Sequence, residues 1–274
     1  MENEVRLQFS GFLNTPQIWK EGITFPYSLF RLKPVPASKL PLTMRFSPSM
    51  VLGKRMELFF QYYITHFGEE EILAHNEQIN FEKRTIGEID FILKNSKTGK
   101  ISHVELVYKF YLYDPEITDE EARWIGPNRQ DSFPEKLHRL LDKQFPLLFR
   151  KETQPLLQTL QITPVEVEQK LCFKANLFIP WKLKERKDYG DINPEAIRGT
   201  WMTASEFENS NFEDAVFFTP KRPDWPIDPI YNSVWYSYTE IQLQVRSLLA
   251  KDQSPLLWMK TPNNQYHRFF VVWW

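Results

Sequence analysis

The stretch TIGEIDFILK, residues 85–94, together with ISHVELVYKFYLY, residues 101–113, decides the predicted fold. Both runs are rich in β-branched and aromatic residues, and NSKTGK between them is a polar, glycine-containing hairpin signal. A third β-prone run, ILAHNEQINF, precedes them at residues 72–81. Before that, GKRMELFFQYYITHF places its large apolar residues at helical spacing, which predicts a helix over about residues 53–67.

Alternation along the two hairpin strands places several charged side chains on shared faces. Glu88 and Asp90 share one face of the first strand, and Glu105, Val107 and Lys109 share one face of the second. Because the strands pair antiparallel, we expect Asp90, Glu105 and Lys109 to meet at one end of the sheet.

The next elements complete a core. Ser132 and Glu135 form a capping-box pattern with Pro134 in the first turn, which predicts a helix that Pro146 ends or kinks. The alternating run KLCFKANLFIPW, residues 170–181, predicts a further strand. The order is therefore helix, three strands, helix, strand, and we predict an α/β (or α+β) fold with a mixed central sheet flanked by helices.

The whole chain, residues 1–274, is expected to form a single globular unit with three parts. Residues 1–50 contain many prolines and no sustained period, which predicts an irregular N-terminal arm. Residues 51–182 contain the core. Residues 183–274 predict a C-terminal α+β extension, with a capped helix beginning near Thr239 and a terminal hairpin.

Composition and the absence of certain sequence motifs exclude several classes of protein. The chain has no apolar run of the roughly 20 residues that a membrane span needs and no export signal, so we expect a cytoplasmic protein. A single cysteine, Cys172, excludes an intramolecular disulfide and a multi-cysteine zinc site. Since the net charge is −1, any contact with nucleic acid must come from a local patch. Phosphate-loop, dinucleotide and serine-hydrolase motifs are absent from the sequence.

Two carboxylates and a lysine at one sheet end suit phosphodiester hydrolysis. Carboxylates hold Mg²⁺ or Mn²⁺, and the ion neutralises the negative charge of the pentavalent phosphorane. A lysine orients or activates the attacking water. The alternative interpretation is an ion pair of Asp90 or Glu105 with Lys109 or Arg84.

The order of these elements resembles the PD-(D/E)XK nuclease superfamily, with its restriction-endonuclease-like core. Within it, the motifs LGKRMELFF, TIGEIDFIL, HVELVYKFYL and WIGPNRQDSFPEKLHRLL resemble the bacterial domain of unknown function 1853 over roughly residues 50–200. The resemblance implies a metal-dependent nuclease in which Asp90 and Glu105 are the metal ligands and Lys109 is the catalytic lysine. Glu57 would be a helix-borne acid that reaches the same site.

The spacing of Lys109 departs from the superfamily pattern. Lys109 follows Glu105 by four positions instead of two, or roughly 13 Å instead of roughly 7 Å along a flat strand. A bulge near Val107 or Tyr108, or a lysine side chain that folds back, would close this gap.

The expected substrate is nucleic acid, with DNA as the first choice. Lys136, Arg139 and Lys143 form a basic helix face that is a candidate for phosphate contacts, and Asn128 lies in a loop that is a candidate for substrate contact or a turn. His103 is interpreted as a hydrogen-bonded structural histidine or as a neighbour of the site. The alternative function is a catalytically inactive protein of the nuclease fold that binds nucleic acid or a protein partner.

Overall fold

The computed structural model describes residues 2–23, 25–36, 44, 46, 47, 49–185 and 188–274. The part of the predicted arm at residues 1, 24, 37–43, 45 and 48 therefore lies outside the described residues. The helices are α1 Glu2–Asn14, α2 Leu52–Phe67, α3 Phe133–Arg139, α4 Phe145–Leu147, α5 Gln154–Thr159, α6 Ala204–Glu208 and α7 Tyr238–Leu249. The strands are β1 Ser28–Leu29, β2 Glu70–Phe81, β3 Arg84–Asn95, β4 Ile101–Tyr113, β5 Trp124–Ile125, β6 Val167–Pro180, β7 Ile197–Thr203, β8 Val216–Phe218, β9 Tyr236–Ser237, β10 Leu256–Lys260 and β11 Tyr266–Val272.

All these strands belong to one mixed sheet. Its order is β2-β3-β4-β6-β7-β11-β10-β8-β9, with β1 beside β6 and β5 beside β4. The pairs β2/β3 and β3/β4 are antiparallel, and the central pairs β4/β6, β6/β7 and β7/β11 are parallel. The predicted mixed central sheet flanked by helices is confirmed. The core order of α2, three strands, α3 and β6 is also the predicted one.

The β3/β4 hairpin stops pairing one residue short of Asp90. Its register runs from Lys94↔Ile101 to Phe91↔Val104, so the next pair in sequence would be Asp90 and Glu105. The β4/β6 register, by contrast, continues without a shift from Ile101 to Leu112. The bulge expected near Val107 or Tyr108 is therefore absent from this described strand, since the long parallel partner β6 holds β4 regular.

Helix α2 covers one face of the sheet next to this hairpin. Met56, Phe59, Phe60 and Tyr63 are buried at the spacing of a helical stripe, and the ring of Phe60 packs on Phe91 of β3 at 4.7 Å between centroids. Burial of this stripe is the main source of the helix's stability, because a helix of this length is marginal alone.

Helix α1 corrects the prediction of an irregular arm, which is wrong for residues Glu2–Asn14. Phe9 and Phe12 are both fully buried, and both rings contact Phe59 of α2. The prediction failed because the helix owes its stability to this contact with α2, which is distant in sequence, and has a weak local pattern.

The opposite face of the sheet is covered by α3 and the helical turns that follow it. Ser132 caps α3 by accepting the backbone N–H of Glu135, as predicted. A π-helical segment, Leu140–Gln144, then leads into the short helix α4, which contains Pro146. Since proline has no backbone N–H, Pro146 removes one α-helical hydrogen bond at this point.

The C-terminal part extends the same sheet. The predicted hairpin is confirmed as β10 and β11, which pair from Leu256↔Phe270 to Lys260↔Tyr266. The N-cap of α7 is Ser237, two residues before the predicted cap Thr239, and Ser237 and Glu240 form the capping box. No helix in the described part of the chain is long and apolar enough to cross a bilayer.

Candidate functional site

Asp90 lies where β3 and β4 separate. Its Oδ2 accepts the backbone N–H of Leu106 at 2.9 Å, so the carboxylate takes a donor that a continued β ladder would have used. On the other side of β3, Asn76 lies across from Asp90 and has a φ of 54°. Ile89 and Phe91 are two positions apart, yet they pack in different hydrophobic clusters, Ile89 with Ile92 and Phe91 with Phe60. The side chains of β3 therefore do not alternate regularly at Asp90.

Glu105 is fully buried and each of its carboxylate oxygens has a hydrogen-bond partner. His103 Nε2 lies 2.8 Å from Oε1, and Gln144 Nε2 donates to Oε2 at 2.5 Å. Gln169 Nε2 donates both to Phe145 O and to His103 Nδ1. Because Nδ1 accepts a hydrogen bond, the proton of the neutral imidazole lies on Nε2, where it donates to Glu105.

Lys136 of α3 is the cation that the fold brings to this pair of acids. Its Nζ donates to Gln144 Oε1 at 2.9 Å, so one amide joins Lys136 to Glu105. Burial lowers the pKa of the Lys136 ammonium, while the negative charges of Glu105 and Asp90 raise it. The side chain is half-buried, in contrast to a solvated basic residue.

The environment of Asp90 disfavours its charged form. Burial raises the pKa of the Asp90 carboxyl well above its usual range, and the negative charge of Glu105 raises it further. The Leu106 N–H acts in the opposite direction, as does the charge of Lys136. The two acids thus repel each other in a poorly hydrated place, which is a condition that a bound cation relieves.

Glu57 of α2 approaches the same place, as the resemblance implied. Its charge raises the pKa of Asp90, and its Oε2 lies 2.6 Å from Lys54 Nζ. Lys54 also lies 3.9 Å from Glu88. In the orientation that satisfies both groups, the Asn76 amide donates to Glu57 at 3.1 Å and accepts from Lys54 at 2.9 Å. Glu57 and Glu88 are therefore partly neutralised at the α2 side of the site.

The Lys109 side chain contacts an acid other than Asp90 and Glu105. It shares a face of the regular strand β4 with Glu105 and Val107, as alternation predicted, but its Nζ pairs with Asp131 Oδ2 at 2.5 Å. Because β4 is regular, Lys109 stands four positions, or roughly 13 Å, along the strand from Glu105. The catalytic role predicted for Lys109 stays a prediction, and the described contacts give it no direct link to Asp90 or Glu105.

The candidate nucleic-acid contacts separate into two groups. Arg139 and Lys143 are exposed on the α3 and π-helical segment, while Lys136 turns toward the acids. Asn128 accepts the backbone N–H of Ser254 at 2.9 Å, which joins its loop to the C-terminal part of the sheet. Arg139 and Lys143 are thus the candidates that remain free to face a polyanion.

The donor set fits a hard divalent cation held by few protein ligands. Among the described residues, no group of three or more His, Cys, Asp or Glu side chains could hold a metal ion. Mg²⁺, however, commonly uses one or two carboxylates and keeps several waters. Asp90 and Glu105 supply two such carboxylates, and the partners of Glu105 orient it as the outer ligands of metal sites do.

Sequence reasoning missed Gln144 and assigned Lys136 to phosphate contacts alone. The signal was present: Lys136, Leu140 and Gln144 recur every four residues, which places them on one helix face. The buried Leu140 anchors that face to the core, and the two polar residues flank it. Two polar residues on the helix face that a buried leucine holds against the core indicate a polar contact inside the protein.

Comparisons with known proteins agree with one part of the sequence resemblance. No curated protein and no solved structure matches the chain. A family model described as Domain of unknown function (DUF1853) matches residues 16–272, a wider range than the motifs of residues 50–200 suggested. The chain therefore belongs to the DUF1853 family.

Proposed function

We propose that this protein is a metal-dependent nuclease that hydrolyses phosphodiester bonds of nucleic acid, with DNA as the expected substrate. One observation carries the proposal: Asp90 and Glu105 lie next to each other where β3 and β4 separate, and Lys136 is joined to Glu105 through Gln144. Two carboxylates and a desolvated lysine are the groups that hydrolysis of a phosphodiester needs.

The element order supports membership of the PD-(D/E)XK superfamily as part of the proposal. Helix α2 carries Glu57, β3 carries Asp90, β4 carries Glu105, and α3 and the parallel strand β6 follow. In this protein the lysine beside the acids comes from α3 and not from β4. We therefore assign the role expected of Lys109 to Lys136.

Each residue of the site would have its own role in hydrolysis. A bound Mg²⁺ or Mn²⁺ would supply positive charge beside the scissile phosphate. Asp90 and Glu105 would hold the ion, with His103 and Gln144 fixing the orientation of Glu105. Lys136, whose pKa is lowered by burial, is placed to orient a water and to exchange a proton with it. Arg139 and Lys143 would contact backbone phosphates from the exposed face of the same helix.

The test is cleavage by the purified full chain of end-labelled double-stranded DNA, single-stranded DNA and RNA, with Mg²⁺, Mn²⁺ or a chelator. We expect metal-dependent cleavage of at least one substrate. Asp90→Asn, Glu105→Gln and Lys136→Met should each lower the rate by about 100-fold or more. Asp142→Asn and Lys251→Met change exposed residues to which the proposal gives no role, and they are the matched controls for the loss of charge.

Two results would count against the proposal. One is the absence of cleavage on all three substrates with either metal. The other is cleavage by Asp90→Asn and Glu105→Gln at the wild-type rate, which would assign the activity to a contaminant. Salt-dependent binding of DNA without cleavage would favour the alternative of a binding protein of the same fold.

A further inference from the structure

Arg268 of β11 is a buried cation on the sheet face that α1 and α2 cover. Its side chain is 8% exposed, Nη1 donates to Asn176 Oδ1 at 3.0 Å, and Nη2 donates to the carbonyl of Trp225 at 2.6 Å. A guanidinium has five N–H donors. Among the described residues, Nε has no hydrogen-bond partner and no carboxylate lies within 4.0 Å of the guanidinium.

A cavity of about 430 Å³ opens over Arg268. Its wall includes Trp258, whose buried Nε1–H likewise has no partner among the described residues, and Tyr266 of the same hairpin. We call it the Arg268 cavity, with Asn176 and Arg268 at its floor and Arg198 at its rim. The volume falls within the range of small-molecule sites.

The charges around the Arg268 cavity favour an anion. Arg198 is exposed, lies close enough to lower the pKa of Arg268, and adds a second guanidinium. The acid Asp228 also lines the cavity, but it is exposed and its Oδ1 accepts the backbone N–H of Ile230 at 3.0 Å. The charge of Asp228 acts on Arg268 only from this exposed position, where it raises the pKa of the guanidinium. The buried end of the cavity therefore carries a positive charge without a contacting carboxylate among the described residues, and two N–H donors without a partner.

A structural role alone leaves these donors unexplained. The rings of Phe110, Phe178 and Trp258 lie 5.3 to 5.4 Å from the Arg268 guanidinium, so cation–π contacts stabilise it in part. Buried N–H groups without acceptors nevertheless cost free energy, and so does a buried charge without a counter-ion. An anionic group at the cavity floor would satisfy both.

We propose that the Arg268 cavity binds a small organic anion. A phosphate or carboxylate head would lie between Arg268 and Arg198, and a flat body would pack against Trp258 and Tyr266. This site lies on the sheet face opposite to Glu105, shares no residue with the acidic site, and does not depend on the proposed nuclease function.

Calorimetric titration of the full chain tests the proposal with two anions and their neutral counterparts. The phosphate pair is adenosine 5′-monophosphate and adenosine, and the carboxylate pair is 3-phenylpropionate and its amide. We expect at least one anion to bind with a Kd below about 1 mM and its neutral counterpart to bind at least about 10-fold more weakly. The tighter anion identifies the preferred head group.

Two variants assign the binding to this cavity. Arg198→Gln changes an exposed residue and should leave the fold intact. It should weaken binding of the anion by about 10-fold. Arg84→Gln, an equal change at an exposed position of β3, should leave the affinity unchanged. Failure of both anions to bind more tightly than about 1 mM overturns the proposal. So does equal binding of charged and neutral probes, or wild-type affinity in Arg198→Gln.

Discussion

The Gln144 side chain donates to Glu105 Oε2 at 2.5 Å from its Nε2 and accepts from Lys136 through its Oε1. This amide lies in a π-helical segment, a local irregularity that often marks functional positions. Gln144 therefore positions the Glu105 carboxylate and the Lys136 ammonium at once. In the proposed nuclease it would contact no reacting atom itself, so we regard it as a positioning residue.

Replacement of Gln144 by alanine should lower both metal affinity and cleavage. Without the amide, Glu105 and Lys136 each lose the partner that orients them, and changes of this kind cost about 10-fold to 100-fold in affinity or activity. Titration with Mn²⁺ measures the first effect without reference to catalysis, and DNA cleavage measures the second. Gln158→Ala, at an exposed position of α5, is the control. Unchanged Mn²⁺ affinity in Gln144→Ala would show that Glu105 is oriented by His103 alone.

Asp90→Asn should stabilise the metal-free protein at neutral pH. The folded state holds the pKa of Asp90 well above its ordinary value of about 3.9, so ionising the carboxyl costs stability as pH rises from that value through the folded pKa. Asparagine has no charge and its Oδ1 still accepts the Leu106 N–H. We expect a higher Tm for the variant at pH 7 in chelator, and an advantage that shrinks to nothing below about pH 4.

The opposite result would correct the electrostatic interpretation. If Asp90→Asn lowers the Tm at pH 7 in chelator, the Asp90 carboxylate stabilises the fold through charged contacts that outweigh its repulsion from Glu105. A difference that does not change with pH would show that Asp90 does not titrate differently in the two states.

Lys109→Met should have little effect on stability. Lys109 and Asp131 are each more than one third exposed, and pairs of this kind contribute about 0 to 1 kcal/mol. Urea denaturation of wild type and variant measures the difference. If the nuclease proposal holds, Lys109→Met should retain more activity than Lys136→Met. The reverse order of activity would return the catalytic role to Lys109.

The parts of the fold that the sequence predicted are those with local patterns. The hairpin of β3 and β4 follows from alternation and a polar turn, and α2 follows from one apolar stripe. Asp90 and Glu105 could be placed together for the same reason, since antiparallel pairing of adjacent strands fixes which residues lie opposite. The network of contacts around them, however, comes from α3 and the segment after it, α2 and β6.

Lys136 and Lys109 show why the rest of the site could not be predicted. Both lie on elements that were predicted correctly, but which lysine reaches the acids depends on how α3 docks on the sheet and on the π-helical segment after it. The break in β3/β4 pairing at Asp90 likewise depends on a tertiary contact. It occurs where the Asp90 carboxylate accepts the Leu106 N–H that strand pairing would otherwise use. Neither feature has a periodic signal in the sequence.

Gly199→Ala and Gly53→Ala should change stability in opposite directions. A Cβ at Gly199 of β7 would overlap the carbonyl oxygen of Arg268 and lie 2.8 Å from Phe178 Cε1, so the backbone of a central strand would have to move. Overpacking of this kind costs about 1 to 3 kcal/mol. A Cβ at Gly53 of α2 meets no atom within 4 Å, and alanine in a helix gains about 0.5 to 1 kcal/mol over glycine.

Thermal denaturation of both variants checks this pair of predictions. Because Gly199 contacts the backbone of Arg268, its replacement should also disturb the floor of the Arg268 cavity and weaken anion binding there. Gly53→Ala should leave anion binding unchanged. If Gly199→Ala is as stable as wild type, β7 and β11 can move apart to admit the Cβ without a decrease in stability. The close packing of these two parallel strands would then contribute nothing to the stability of the central sheet.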